Sequence, residues 1–125
     1  MSTINIINLI KDKQNTIFLV FFMTVFFTGI LYAQENIKTA SIKTSAQCDM
    51  CKSRIEKHLS KQDGIIESDL HIETAICSVK YDSTKISPDD IRLEISKVGY
   101  DADDIKANKR AYEKLPKCCK KPEDR

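Results

Sequence analysis

The feature that most constrains the fold is the order in which strand-like and helix-like apolar patterns follow one another in the central part of the chain. Residues 38–44 alternate between apolar and polar side chains, which predicts a strand. Cys51, Ile55 and Leu59 then recur every four residues, and this spacing predicts a helix with a single apolar stripe. Gly64 marks the end of that helix or of the turn that follows it.

Two further strands are predicted directly after this helix. Residues 65–72 alternate again, and the segment "ICSVKYD" at residues 76–82 places Cys77, Val79 and Tyr81 on one side. Because the link between the two segments is short, they are expected to pair as a hairpin.

A second helix is predicted from its start signals, which are Ser87 as the cap, Pro88 in the first helical position and two aspartates at the electropositive end. Gly99 ends it, and the segment "YDADDIK" then predicts a short last strand. The expected buried stripe of this helix consists of Ile91, Ile95 and Val98.

The order of strand, helix, strand, strand, helix and strand predicts an α+β fold of the ferredoxin-like βαββαβ type. In this fold two helices cover one face of a four-stranded antiparallel sheet. We expect the domain at residues 38–105, after a linker at residues 34–37 and before a cysteine-containing tail at residues 106–125. Because this fold supports many activities, the function must be predicted from the site.

The N-terminal segment is apolar from residue 16 to residue 33 and follows the cationic pair Lys11 and Lys13. This layout predicts a signal peptide at residues 1–33 that is cleaved after Ala33, and therefore an exported, periplasmic protein. An uncleaved membrane anchor at residues 16–33 is the first alternative, since the run approaches the length of a spanning helix. A buried core helix is the second alternative.

The charge of the mature chain argues against nucleic-acid binding. Cleavage after Ala33 removes two lysines and one aspartate, so the net charge falls from +2 to +1. Positive and negative side chains alternate along the remainder, which is typical of a solvated surface, whereas a nucleic-acid site needs a concentrated basic face.

The pair Cys48 and Cys51 is the strongest candidate site. Both cysteines precede or open the first predicted helix, where unpaired N–H groups and the helix dipole favour thiolates. Two thiolates suit a soft ion, either Cu(I) or Hg(II), or Zn(II) and Cd(II) with added ligands. Between them, Asp49 is predicted to face solvent, and an inward turn that makes it a third ligand is the alternative. Met50 is predicted to pack or lie partly exposed, and ligation through its thioether is the alternative. A disulfide or redox role for the pair remains open at this point.

The other isolated ligand-type residues are predicted to be structural. Cys77 lies on the apolar side of a strand and is expected to be a small core residue. His58 and His71 lie singly on a helix and on a strand, where surface packing is expected. Five cysteines cannot all be paired within one chain, so at least one thiol needs another role.

The motifs together resemble the heavy-metal-associated domain family, which includes copper chaperones, metal-binding domains of P-type ATPases and the periplasmic mercury-binding protein. The resemblance rests on the Cys48-to-Cys51 loop, on "KSRIEKHL", "DGIIESDLHIET" and "CSVKYD", and on "SPDDIRLEISKVGYDAD" in this order. It implies that Cys48 and Cys51 are metal ligands and that Tyr100 lies near the metal loop. Packing after the helix cap is the alternative for Tyr100.

The chain departs from the family pattern ahead of the first cysteine. The family usually has Gly-Met-Thr or a similar sequence there, whereas this chain has Ser45, Ala46 and Gln47. The methionine that normally packs under the loop is therefore missing, which leaves the rigidity of the loop and its metal preference open.

The tail is the unusual part of the sequence. Ala111, Tyr112 and Leu115 can form one face of a short helix, and Cys118 and Cys119 follow it. We expect the tail to fold back along the domain and to offer Cys118, Cys119 or both as additional thiolates. The alternative is a flexible, lysine-rich tail with independent thiols.

The predicted function is that of a non-enzymatic, exported protein that binds a soft metal ion and sequesters it or transfers it by thiolate exchange. Cu(I) is the favoured ion, and Hg(II), Zn(II) and Cd(II) are the alternatives. A metal-transporting ATPase or another thiol-bearing acceptor is the expected partner, with membrane contact only if the N-terminal segment is uncleaved. The alternatives are a thiol–disulfide redox protein and a membrane-anchored accessory domain of a metal transporter.

Overall fold

The computed structural model describes residues 10–22 and 36–125, and the chain divides into two compact units, Met1–Glu35 and Asn36–Arg125. In the first unit, residues 10–22 form helix α1, whose side chains are exposed along its whole length. No helix in these two described ranges combines the length and the apolar character that crossing a membrane requires. The predicted cleavage point at Ala33 lies outside the described residues.

The second unit contains three strands and three helices. They are β1 (Ile37–Lys43), α2 (Asp49–Leu59), β2 (Ile65–His71), β3 (Ile76–Asp82), α3 (Pro88–Lys97) and α4 (Lys109–Glu113), and two 3₁₀ turns follow at Lys117–Cys119 and Pro122–Asp124. The first five elements therefore occur in the order and close to the positions that the apolar patterns predict.

The sheet is antiparallel, with β3 in the centre and β1 and β2 on either side. Cys77 of β3 pairs with Ile42 on one side and with Leu70 on the other, and all three side chains are buried. The predicted hairpin of β2 and β3 is confirmed. Alternation along β3 buries Cys77, Val79 and Tyr81, as the sequence pattern predicts.

The core joins the inward face of this sheet to the apolar stripes of the two long helices. From α2 it takes Cys51, Ile55 and Leu59, and from α3 it takes Ile91 and Ile95. Val98 packs at the edge of this core as a half-buried side chain.

Helix α3 begins at the predicted cap. Ser87 Oγ accepts the backbone N–H of Asp90 at 3.2 Å, and the Asp90 carboxylate accepts the backbone N–H of Ser87 at 3.1 Å. This reciprocal pair satisfies two groups that the start of a helix leaves open. Gly99 follows the helix with a φ of +101°, a left-handed conformation that favours glycine.

The predicted fourth strand is wrong, because the segment after Tyr100 turns back on itself. Within residues 36–125 the sheet has three strands, and Ala102 makes only isolated bridges with Thr44 and Ile105. Asp103 adopts a φ of +52°, which ends extended backbone at that point. Its backbone N–H donates to Lys43 O at 2.8 Å, and its carboxylate accepts the Lys43 N–H at 2.9 Å.

Because of this turn, the C-terminal tail begins at a different end of the domain from the one that a fourth strand would give. A full fourth strand antiparallel to β1 would carry the chain to the end of the domain opposite Cys48. The pairing with β1 stops after Ala102. The chain therefore reverses near the end of β1 that leads into residues 44–51, which we call the cysteine loop. The tail at residues 106–125 therefore does not need to cross the domain before it reaches that loop.

Candidate metal centre

The loop before the first cysteine is held by local polar contacts. Thr44 donates its backbone N–H and its hydroxyl to Ala75 O, at 2.8 and 2.9 Å, and Thr44 Oγ1 accepts the Ala46 N–H at 3.2 Å. Ser45 Oγ accepts the backbone N–H of Asp101 at 2.9 Å. Ala46 is buried in the position where the family usually has methionine, so a small side chain and the hydroxyl contacts of Thr44 and Ser45 fix this loop.

Cys48 caps helix α2 and Cys51 lies in its first turn. The backbone of Cys48 is extended, with φ −151° and ψ 167°, and its carbonyl accepts the first helical N–H, from Lys52, at 3.1 Å. The two sulfur atoms are 3.1 Å apart. Cys51 is fully buried and Cys48 half-buried, so an incoming group reaches Cys48 first.

The surroundings of Cys48 favour its thiolate. Partial burial acts against ionisation, but hydrogen bonds from the Cys51 thiol, the Cys51 backbone and the Cys119 thiol lower the pKa of Cys48 below its ordinary value. Because the thiolate is the form that binds metals, this arrangement prepares Cys48 for ligation.

Tyr100 lies beneath the cysteines and is fully buried. Its hydroxyl makes no hydrogen bond of ordinary geometry within the described part of the chain. Burial, followed by the neighbouring thiols of Cys119 and Cys51, raises the pKa of Tyr100 well above its usual range. The structure therefore places Tyr100 next to the cysteine loop, and its neutral O–H faces sulfur.

The tail brings two more thiols to the same place. Cys119 Sγ lies 3.7 Å from Cys48 Sγ and 3.9 Å from Cys118 Sγ. The sulfurs of Cys48, Cys118 and Cys119 all lie within 4.8 Å of one another. Burial and the nearby Cys51 thiol raise the pKa of Cys119 to about 12, whereas Cys118 is exposed.

The remaining cysteine and both histidines lie away from this cluster, whereas Met50 lies between the first two cysteines. Cys77 is buried in the core, where burial raises the pKa of its thiol to about 12. His58 Nε2 lies within hydrogen-bond distance of Glu94 Oε2, at 2.8 Å, and His71 Nε2 lies 3.4 Å from Asp69 Oδ2. Met50, in the cysteine loop itself, is 48% exposed.

Several residues that hold the tail near the cysteines carry no local sequence signal. Asp101 accepts the Ala107 N–H at 2.8 Å and pairs with Lys121 at 2.9 Å. Gln47 accepts a hydrogen bond from Arg125 at 2.7 Å. These partners are close in space but distant in sequence, so no short motif could have identified the last two contacts.

Comparison with known proteins agrees with this geometry. The Heavy-metal-associated domain family matches residues 42–101, a range that includes Cys48, Cys51 and Tyr100 but ends before the tail. Copper chaperone CopZ of Staphylococcus aureus is 35% identical over 54 residues, which make up 43% of this chain and 79% of the chaperone. The chain belongs to the heavy-metal-associated domain family.

Other members of the family show how much of the chain the likeness covers. The copper-exporting P-type ATPase of Staphylococcus aureus is 39% identical over 67 residues, which span 54% of this chain and only 8% of the ATPase. A solved structure of CopZ metallochaperone superposes with a TM-score of 0.51 at 29% identity, over 52% of this chain and 98% of that one. The common part is thus the heavy-metal-associated domain itself.

Proposed function

We propose that this protein binds one soft metal ion through Cys48 and Cys51 and transfers it to another thiol-bearing site. Cu(I) is the favoured ion, because the relatives are a copper chaperone and a copper-exporting ATPase. Hg(II), Zn(II) and Cd(II) are the alternatives that the same ligands allow. The observation that carries the proposal is the pair of free sulfurs 3.1 Å apart at the start of α2.

The transfer step follows from the difference in exposure between the two cysteines. A thiolate from the acceptor binds the ion on the Cys48 side, forms a new metal–sulfur bond, and the bond to Cys48 breaks. The buried Cys51 sulfur is released last. No electron is transferred, so the step needs no oxidant or reductant. The protein is a carrier and has no catalytic turnover.

A metal-transporting ATPase is the proposed acceptor, since the family's domain also occurs within such an ATPase. The protein is proposed to act outside the cytoplasm, in the periplasm, on the basis of its apolar segment at residues 16–33. Mass spectrometry of the mature protein tests this: a chain that begins at Gln34 supports cleavage, and a chain that retains residues 16–33 supports the anchored form.

An anaerobic titration tests metal binding. Reduced protein should bind one equivalent of Cu(I) against a competing chelator, and the double variant Cys48→Ser, Cys51→Ser should lose this binding. Cys77→Ala is the matched control, since it also removes a thiol but lies in the core, and its binding should match that of the wild type. Binding that survives the double substitution would contradict the proposal.

The short sulfur separation would also suit a dithiol–disulfide couple, so the same preparation should be assayed for reduction of insulin. Tight binding without reductase turnover supports the carrier. Catalytic reduction of insulin that depends on Cys48 and Cys51 would favour the redox alternative.

A further inference from the structure

The C-terminal tail is an addition to the part of the chain that matches the family, because the match ends at residue 101. Asp101 fixes the tail at two points through its contacts with Ala107 and Lys121, and Gln47 of the cysteine loop holds Arg125 at the end of the chain. The tail is therefore attached to the domain both before and after its two cysteines.

Between these attachments, packing sets the position of Cys119. Leu115 is buried against the core, and the turn that follows carries a hydrogen bond from Cys119 N–H to Pro116 O at 2.9 Å. Tyr112 Oη accepts the backbone N–H of Lys121 at 2.9 Å. The Cys119 side chain is then directed inward and is only 2% exposed.

The sulfur positions approach those required around one ion. With metal–sulfur bonds of about 2.3 Å, sulfurs that share an ion lie about 3.8 Å apart in a tetrahedral arrangement and about 4.0 Å apart in a trigonal one. The distance from Cys48 to Cys119 is 3.7 Å. The distance from Cys48 to Cys51 is 3.1 Å, so this pair must widen when a metal binds.

We infer that Cys119 supplies a third thiolate to the ion held by Cys48 and Cys51, which makes the bound Cu(I) three-coordinate. This inference rests on the proposed function, since it concerns the same ion. Cys118 lies on the exposed side of the cluster and is not needed for a three-coordinate Cu(I) site.

A purely structural role for Cys119 explains less of what surrounds it. Cys77 shows what a structural cysteine looks like in this chain, because it lies in the core between strand residues, and the hydrogen bonds between thiols of the described residues involve the other four cysteines. Cys119 instead faces sulfur on two sides and lies beside the Tyr100 hydroxyl.

The buried hydroxyl of Tyr100 is a second observation, because it makes no hydrogen bond of ordinary geometry within the described residues. A buried O–H without an acceptor is costly, and such groups in native proteins usually have a specific explanation. The sulfurs of Cys119 and Cys51 lie beside this donor. Cys51 and Cys119 therefore share one buried polar neighbour, which is expected of two thiols that serve the same site.

The test uses the full chain, reduced and loaded with one equivalent of Cu(I) without oxygen. X-ray absorption at the copper edge should give three sulfur ligands for the wild type and two for Cys119→Ser. Competition with a chelator should show that Cys119→Ser lowers Cu(I) affinity by about 10-fold to 100-fold, the range that loss of even an outer-shell partner costs metal sites. Cys119→Val, which keeps an apolar side chain in the pocket, should lower it equally.

The neighbouring variant Cys118→Ser is the matched control and should keep three sulfurs and wild-type affinity. Two sulfurs around copper in the wild type would overturn the inference without reference to any variant, as would unchanged affinity in Cys119→Ser or an equal loss in Cys118→Ser. Each of these outcomes leaves the proposed function standing, because that function is tested separately, by the double variant of Cys48 and Cys51 and by the insulin assay.

Discussion

Replacing Gly99 with alanine is expected to open the C-terminal tail. A methyl group at this position would lie 3.0 Å from the backbone carbon of Ala111 and 3.0 Å from the backbone nitrogen of Tyr112. Both atoms belong to α4, at the start of the tail, and backbone atoms cannot rotate away as the end of a side chain can. The φ of +101° also strains alanine, but that strain is the same whether the tail is docked or open.

The size of the effect follows from the overlap. Forcing one extra methyl group into a packed contact costs about 1–3 kcal/mol, and undocking of the tail relieves this cost. A change of that size raises the ratio of open to docked tail about 5-fold to 150-fold. Because Cys119 is almost completely buried, it should be alkylated only from the open form, and its alkylation rate should rise by the same factor.

The assay is alkylation of reduced, metal-free protein, and fragmentation of the peptides in the mass spectrometer assigns the label to each cysteine separately. The exposed Cys118 serves as an internal reference. Gly64→Ala is the matched control, because Gly64 has a φ of +93° and its added methyl group would lie 2.8 Å from Lys85 Cβ. It should lower stability without exposing Cys119. An unchanged Cys119 rate in Gly99→Ala, or an equal rise in Gly64→Ala, would refute the reasoning.

Three further predictions concern the stability of the domain. Ile95→Ala should lower the free energy of unfolding in urea by about 2–5 kcal/mol, because it leaves a cavity in the core, whereas Leu93→Ala on the exposed side of the same helix should change it by about 0.5 kcal/mol or less. Ser87→Ala should cost about 1 kcal/mol, since a backbone N–H of α3 loses its acceptor, and Ser87→Asn should retain most of that stability. Burial opposes ionisation of Asp101, but a backbone N–H and Lys121 lower its pKa. The stability from its carboxylate should be complete above the ordinary aspartate pKa of about 4 and be lost as pH falls through the lower folded value, so acid unfolding of Asp101→Asn should depend less on pH in that range.

The strands and long helices could be predicted because their signals are local. The apolar alternation of β3 and the four-residue spacing on α2 each depend on neighbouring residues alone. The same is true of the cap at Ser87, whose partner is three residues away. The prediction of a fourth strand failed because the chain turns at Asp103. That turn is fixed by hydrogen bonds to Lys43, which is distant in sequence.

The sequence predicts the first two cysteines of the candidate site more fully than it predicts the cysteines of the tail. The Cys48 and Cys51 pair has a fixed short spacing at a helix start, so the chain itself brings the two sulfurs together. The approach of Cys119 depends on Asp101, Lys121 and other polar partners that are far apart in sequence, and sequence alone offers only the reach of the tail as an argument. Its placement 3.7 Å from Cys48 therefore required the structure.

Tail docking and metal binding must be coupled if Cys119 is a ligand. Any factor by which the docked tail raises Cu(I) affinity is also the factor by which bound Cu(I) favours docking. The ion pair of Lys121 with Asp101 is partly exposed and contributes at most about 1 kcal/mol, so burial of Leu115 and Cys119 must add to the polar contacts that hold the metal-free tail.

A double-variant comparison measures this coupling. Gly99→Ala should weaken Cu(I) binding only in protein that keeps Cys119, because an open tail cannot present the third sulfur. In the Cys119→Ser background the same substitution should leave affinity unchanged, so the two losses should not add. Losses that add would mean that the tail and the thiol act separately, whereas a complete lack of additivity would show that docking matters to the metal only through Cys119. An acceptor that displaces the Cys119 sulfur would then also open the tail, and release of the ion would be linked to arrival of its recipient.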